Sequence, residues 1–155
     1  MVGPAWVAVR RARYRAAGRE IDGADRAVLA RYFGAALLDS VRVAVVDRIE
    51  NVALYGLMKS RRFVPLDLTL VSGMAFDDTV VMTRGAWNGP RRMSTLFHEL
   101  VHVAQYRRLG VRGFCREYVR GWLKGGYFGC WLEEEAYEMQ GRFDGGEEFV
   151  VDSGR

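Results

Sequence analysis

Two periodicities alternate along this chain and predict a mixed α and β fold. After residue 22 the apolar positions recur at helical spacing, which predicts a helix that Asp22 or Asp25 caps and that runs to about Leu38. Residues 41–46 alternate and then become continuously apolar, as in a strand buried at one end. Residues 51–58 fit either a helix or a loop.

From residue 66 the apolar positions recur every second residue. Leu66 to Leu70 alternates between leucine and polar residues, and turn signals at Ser72-Gly73 and Asp77-Asp78 separate the next apolar runs. The pattern predicts a strand meander whose last strand is Thr79 to Thr83. This strand precedes a helix and could border a cleft, where an exposed edge would let an extended peptide add a strand.

The second half of the chain returns to helical periodicity. One helix lies between Pro90, a residue suited to a first turn, and Gly110. An amphipathic helix runs from Phe114 to Lys124, and after a Gly-Gly break an acidic helix runs from Leu132 to Phe143. The sequence therefore predicts an α+β fold.

Composition indicates one ordinary globular domain. The chain has 155 residues, of which 50% are hydrophobic and 27% charged, and no apolar run approaches a bilayer span. We expect a domain at residues 21–143, after a basic segment at 1–20 and before a flexible tail at 144–155. The start does not resemble a signal peptide, so we expect a cytoplasmic product unless a dedicated secretion machine exports it.

Neither the cysteines nor the basic residues indicate a particular binding site. Cys115 and Cys130 do not form a Cys-x-x-Cys pair, which favours buried free thiols. The net charge of +4 owes much to the run from Arg10 to Arg15 and to Arg19, which could touch nucleic acid or anionic lipid. Such segments are more often simply solvated, and no nucleic-acid-binding motif follows this one.

The strongest chemical signal is His98-Glu99-Leu100-Val101-His102, which contains both histidines of the chain. On a helix the two imidazoles project from one side, with Cβ atoms ~6 Å apart, and can reach one metal ion. Glu99 is then placed beside an open coordination position, where it can act on water. The spacing is typical of zinc sites in metallopeptidases.

A catalytic zinc site needs a third protein ligand, and no third histidine exists. The acidic helix is the obvious source of a carboxylate. Its buried side is defined by Leu132, Ala136, Met139 and Phe143, and Glu134 projects away from that side. Glu133 and Glu135 flank the buried side, and the pattern does not choose between them.

The sequence His-Glu-Leu-Val-His-Val-Ala-Gln-Tyr, followed after a spacer by Leu-Glu-Glu-Glu-Ala-Tyr, resembles the minigluzincin-type metallopeptidase domain of toxins linked to bacterial contractile injection systems. The resemblance covers residues 41–143 and implies a small zincin-like domain with a short, mostly antiparallel sheet. It also implies that Glu133, three residues before Ala136, is the third ligand. Many relatives carry Asp after that alanine, where this chain has Tyr137.

Together these features predict a zinc-dependent metallopeptidase that acts on a peptide or protein, with no membrane partner. Zn²⁺ is held by His98, His102 and Glu133, and Glu99 is the general base. Tyr106 and Tyr137 are candidates for stabilising the oxyanion or for a hydrogen bond to a metal ligand. The candidates for substrate binding are the residues of the last predicted strand, Thr79, Val80, Val81, Met82 and Thr83.

Two other functions are compatible with the sequence. The metal could stabilise a non-catalytic interaction domain or toxin module, although such a site has no need of Glu99. The segment from Arg10 to Arg19 could instead serve a nucleic-acid-associated protein, whose binding would depend strongly on salt.

Overall fold

The computed structural model describes residues 3–50, 70–125 and 130–154. In these ranges the chain forms six helices and a three-stranded sheet, which confirms the α+β class. No helix there is long and apolar enough to cross a bilayer. The helices are α1 Pro4–Ala17, α2 Gly23–Leu29, α3 Ala35–Ser40, α4 Arg84–Trp87, α5 Arg92–Gly125 and α6 Trp131–Asp144, and the strands are β1 Arg42–Val46, β2 Gly73–Phe76 and β3 Thr79–Thr83.

The sheet is mixed, with β3 at its centre. This strand pairs in parallel with β1 and antiparallel with β2, so the expected mostly antiparallel sheet is only half right. The prediction that Thr79 to Thr83 offers an exposed edge is wrong, because the backbone of this strand is paired on both sides. Among the described strands, β2 is the edge beside α5. The segments 51–58 and 66–69 lie outside the described residues.

The N-terminal segment differs from the expected solvated, separate unit, because it forms α1 and packs on all three strands. Val7 and Tyr14 lie two turns apart on one face, and both are buried. The ring of Tyr14 stacks on Phe76 of β2 at 5.7 Å. On the other side, Arg11 donates two hydrogen bonds to Asp78, at 2.7 and 2.6 Å. The basic segment is therefore part of the same folded body.

The single helix predicted from residue 22 to residue 38 is two helices. Asp22 caps the first, since its side chain accepts a hydrogen bond of 2.9 Å from the Asp25 backbone N–H. Gly34 has an extended backbone, with φ −63° and ψ 147°, and separates α2 from α3. Four members of the predicted apolar stripe are buried, namely Leu29, Tyr32, Phe33 and Leu37, whereas the other two, Val28 and Ala36, are exposed.

The C-terminal residues also differ from prediction, because they dock on the domain. Val151 is buried, and its N–H donates to the Tyr32 carbonyl at 2.8 Å. The Phe149 ring lies 5.2 Å from Tyr32, and the Arg142 guanidinium lies 4.2 Å from the Phe149 ring centroid. The segment expected to be a flexible tail therefore packs against the domain through Phe149 and Val151.

Helix α5 connects the sheet to the candidate site. It begins two residues after Pro90, and its apolar side packs on β2 and β3. At Gly110 the backbone has φ 67° and ψ 161°, a left-handed conformation that favours glycine and ends the first helical stretch as predicted. The remaining part, residues 111–125, is called the second limb of α5 below. It contains the predicted amphipathic helix and turns toward α6.

Candidate metal centre

The two histidines lie one turn apart on α5, on the side that faces α6. His98 and His102 are 7% and 6% exposed, so both rings are withdrawn from bulk water. Their Nε2 atoms are 3.2 Å apart. The predicted helix thus presents two imidazole nitrogens to a single point.

Glu133, in the first turn of α6, brings a carboxylate to that point. Its Oε2 atom lies 3.5 Å from the Nε2 atoms of both His98 and His102. Of the two glutamates that the pattern left open, Glu133 is the one beside the histidines, whereas Glu135 turns toward Arg108. Glu134 is exposed, as its position in the pattern predicted.

This group has the donors and the spacing that suit a metal ion. Ligand atoms at about 2.0–2.1 Å from a tetrahedral zinc ion are separated by roughly 3.3 Å, close to the distances found here. The Oε2 atom of Glu133 is buried and has no hydrogen-bond partner among the described residues. A buried carboxylate oxygen without a donor is costly unless a cation or proton meets it. The buried group His98, His102 and Glu133 could therefore bind a metal ion.

Two glutamines set the orientation of the imidazole rings. His102 Nδ1 lies 2.8 Å from Gln105 Oε1, and His98 Nδ1 lies 3.2 Å from Gln140 Oε1. An amide oxygen only accepts, so each Nδ1–H donates, and each Nε2 is left to face the shared point, where it offers a lone pair to a metal ion once it is deprotonated. The amide of Gln140 is fixed in turn, because its Nε2 donates to Ser94 Oγ at 2.7 Å.

Gln105 also ties the histidine helix to the glutamate helix. Its Nε2 donates to the Leu132 carbonyl at 2.8 Å and to Glu135 Oε2 at 2.7 Å. Arg108 donates to the same Glu135 oxygen at 2.6 Å. This network holds the first turn of α6, and with it Glu133, in register with α5.

The charges of the site follow from burial and from the close contacts. Burial disfavours a charged His102, but the adjacent Glu133 carboxylate outweighs it and raises the pKa of His102 to about 9. Burial would also raise the pKa of Glu133, yet the two histidines hold it well below its usual value. Burial raises the pKa of Glu99 above its usual value, although the histidine charges oppose this. Glu133 is thus the stable anion of the group, and a metal ion that binds here must displace the proton held by His102.

Glu99 lies beside this group but is not one of the three converging residues. It is 5% exposed and packs against Gly73 of β2. A Cβ atom on Gly73 would lie 2.7 Å from Glu99 Oε1 and 2.9 Å from its Cγ, which is closer than atoms pack. The absence of a side chain at residue 73 therefore makes room for Glu99, which the sequence alone did not reveal.

The other predicted site residues have different environments. Tyr106 is buried and stacks on Phe114 at 3.7 Å, as a packing aromatic does. Tyr137 is 47% exposed, and its ring lies 4.6 Å from the His98 ring, at the surface of the site. A residue missed by the sequence reasoning is Tyr118, whose hydroxyl donates to Glu133 Oε1 at 2.9 Å.

The structure thus brings His98, His102 and Glu133 into one buried group with Glu99 at its side. The predicted substrate-binding residues Thr79 to Met82 are instead buried in the middle of the sheet.

No family model, curated protein or solved structure matches the chain.

Proposed function

We propose that this protein is a zinc-dependent peptidase of the minigluzincin type. The observation that carries the proposal is the convergence of His98, His102 and Glu133 around one buried point, where Glu133 Oε2 has no hydrogen-bond partner among the described residues. The donor set of two imidazoles and one carboxylate is that of catalytic zinc sites in metallopeptidases.

In this proposal metal binding, proton transfer and ligand orientation are carried out by different residues. Zinc held by the three residues would supply Lewis-acid chemistry, acidifying a water molecule and polarising a substrate carbonyl. Glu99 accepts the proton of the attacking water on a carboxylate oxygen and passes it to the leaving amine nitrogen. Gln105 and Gln140 keep the two Nε2 lone pairs directed at the metal position.

An open site distinguishes catalysis from a purely structural metal role. Structural zinc sites are usually closed by four protein ligands, whereas catalytic sites use three and leave a position for water or substrate. The described residues offer three candidate ligands. The buried Glu99 next to them has no purpose in a zinc-stabilised interaction or toxin module, so this alternative is less well supported.

The edge strand β2 is the better candidate for substrate binding than the strand expected from the sequence. Among the described strands it pairs only with β3. Its first residue, Gly73, lies against Glu99, so a peptide added along this edge passes close to the general base. Extended peptide segments are the substrate form that this arrangement accepts.

The described residues offer no support for the nucleic-acid alternative. The arginines of α1 meet carboxylates of their own chain. Arg13 pairs with Glu50 at 2.7 Å, and Arg11 and Arg15 pair with Asp78 at 2.6 and 3.1 Å. Much of the basic charge that suggested a polyanion partner is therefore balanced within the fold.

The test combines metal analysis with an unbiased search for cleavage. The purified protein should contain one zinc ion per chain and cut a subset of peptides in a proteome-derived library, and a chelator should stop the cleavage. His98→Ala should lose both zinc and cleavage while the fold is retained. Stoichiometric zinc without cleavage of any peptide would contradict the peptidase proposal and favour the interaction domain.

A further inference from the structure

The second limb of α5 contributes one residue directly to the candidate metal centre. Tyr118 is half-buried, and its hydroxyl donates a hydrogen bond of 2.9 Å to Glu133 Oε1. The left-handed backbone at Gly110 redirects the helix so that this residue, which lies beyond the break, approaches α6. The contact joins residues that are 15 positions apart and on different helices.

The hydrogen bond separates the roles of the two Glu133 oxygens. Oε1 accepts from Tyr118, whereas Oε2 lies 3.5 Å from both histidine Nε2 atoms. A carboxylate whose one oxygen is engaged by a hydroxyl cannot rotate freely about its terminal bond. We infer that Tyr118 is a positioning residue that holds Glu133 with a single oxygen directed at the metal. This inference rests on the proposed metal site.

The packing around Tyr118 is suited to such a role. Its ring lies in a stack along the second limb, 5.8 Å from Phe114 and 6.4 Å from Trp122. Gly121 allows the limb to approach α6 closely, since a Cβ there would lie 2.7 Å from the Cα of Cys130. The ring is thus held by its neighbours, and the backbone close to Glu133 is held by the helix contact. A hydrogen bond between two such fixed groups costs little further ordering.

The test removes only the hydroxyl. Tyr118→Phe keeps the ring stack, so the metal-free protein should still fold cooperatively, with a modestly lower unfolding temperature because Glu133 Oε1 loses a donor. We expect its zinc affinity, measured by competition with a chromogenic chelator, to fall about 10–100-fold, the usual cost of losing a partner that orients a ligand. Tyr14→Phe, which removes a hydroxyl from a tyrosine that is buried away from the metal group, is the control and should bind zinc as the parent does.

A double-mutant cycle shows whether Tyr118 acts through Glu133. In a Glu133→Gln background, the further change Tyr118→Phe should alter zinc affinity less than twofold. The visible spectrum of the cobalt-loaded protein should also change in Tyr118→Phe, because the carboxylate can then bind differently.

Two results overturn the inference while leaving the metal site in place. One is parent-like zinc affinity in Tyr118→Phe, and the other is an equal loss in both backgrounds. A parent protein that binds no zinc would instead overturn the proposed function and this inference together.

Discussion

Gly73→Ala is a single-methyl change that separates general-base chemistry from metal binding. The added Cβ would lie 2.7 Å from Glu99 Oε1, 2.9 Å from Cγ and 3.0 Å from Cδ. Carbon and oxygen atoms pack favourably at about 3.5 Å or more, so the Glu99 side chain must retreat by about 1 Å. The three atoms nearest to the added Cβ all belong to Glu99, so a shift of that side chain alone relieves the contact, and the histidines and Glu133 do not have to move.

The size of the effect follows from the sensitivity of proton transfer to geometry. A displacement of about 1 Å in a reacting group can cost about 100-fold in rate, which corresponds to about 2.7 kcal/mol in the activation barrier. We therefore expect kcat/KM for a cleaved library peptide to fall about 100-fold in Gly73→Ala. Zinc affinity should stay within about threefold of the parent, because no ligand is touched.

Gly141→Ala provides a matched control. This glycine lies on α6, the helix that carries Glu133, and a Cβ there meets no atom within 4 Å. Its kcat/KM should equal that of the parent. A Gly73→Ala protein that cleaves as fast as the parent would refute the placement of Glu99 against β2. If the variant lost zinc instead, residue 73 would serve the metal group rather than the base.

Three further predictions test other parts of the structure. Replacing both Cys115 and Cys130 by Ser should leave stoichiometric zinc, since neither buried thiol joins the converging group and burial raises the pKa of both. Glu134→Gln, an exposed change, should leave zinc affinity and cleavage within twofold of the parent. Burial opposes the charge on Asp78, but the hydrogen bonds from Arg11 outweigh burial and hold the pKa of this carboxyl below its usual value. The ionised Asp78 carboxylate therefore stabilises the fold at pH values above its ordinary pKa, and this stabilisation is lost as the pH falls through its lowered pKa. Asp78→Asn should therefore lower the free energy of unfolding by about 1 kcal/mol at neutral pH, and the difference should shrink at acidic pH in chemical denaturation; a constant difference would contradict this pairing.

Local periodicity was enough to predict the histidine helix. Its apolar side and the spacing of His98 and His102 are properties of one continuous segment, and both ends were marked by Pro90 and Gly110. The choice between Glu133 and Glu135 could not be made in this way, because both flank the buried side of α6. It depends on how α6 is rotated against α5, and Gln105 and Arg108 fix that rotation by binding Glu135.

Contacts between distant segments were beyond the sequence patterns. A period of two identifies strands but does not give their order, so the central position of β3 was missed and its edge was assigned to the wrong strand. Gly73 resembled an ordinary turn residue, although its packing against Glu99 gives it another role. In α1 the two buried positions, Val7 and Tyr14, were concealed among arginines that suggested a solvated segment.

Two signals in the sequence could have added the orienting glutamines. Gln105 follows His102 by three residues and therefore lies on the same helix face. Gln140 follows Glu133 by seven residues, two turns along the same face of α6. Polar residues at these offsets from candidate ligands can hydrogen-bond one imidazole nitrogen and so determine which nitrogen is left to bind a metal ion.

The most direct test of the account compares Glu99→Gln with Glu133→Gln for zinc content and peptide cleavage in the same preparations. Glu99→Gln should keep one zinc per chain and lose cleavage by about 10²–10⁴-fold, because the amide cannot accept a proton from water. Glu133→Gln should bind zinc weakly, because it removes the only anionic ligand. Parent-like cleavage by Glu99→Gln would contradict the proposed mechanism, and loss of zinc from Glu135→Gln but not from Glu133→Gln would contradict the proposed metal site.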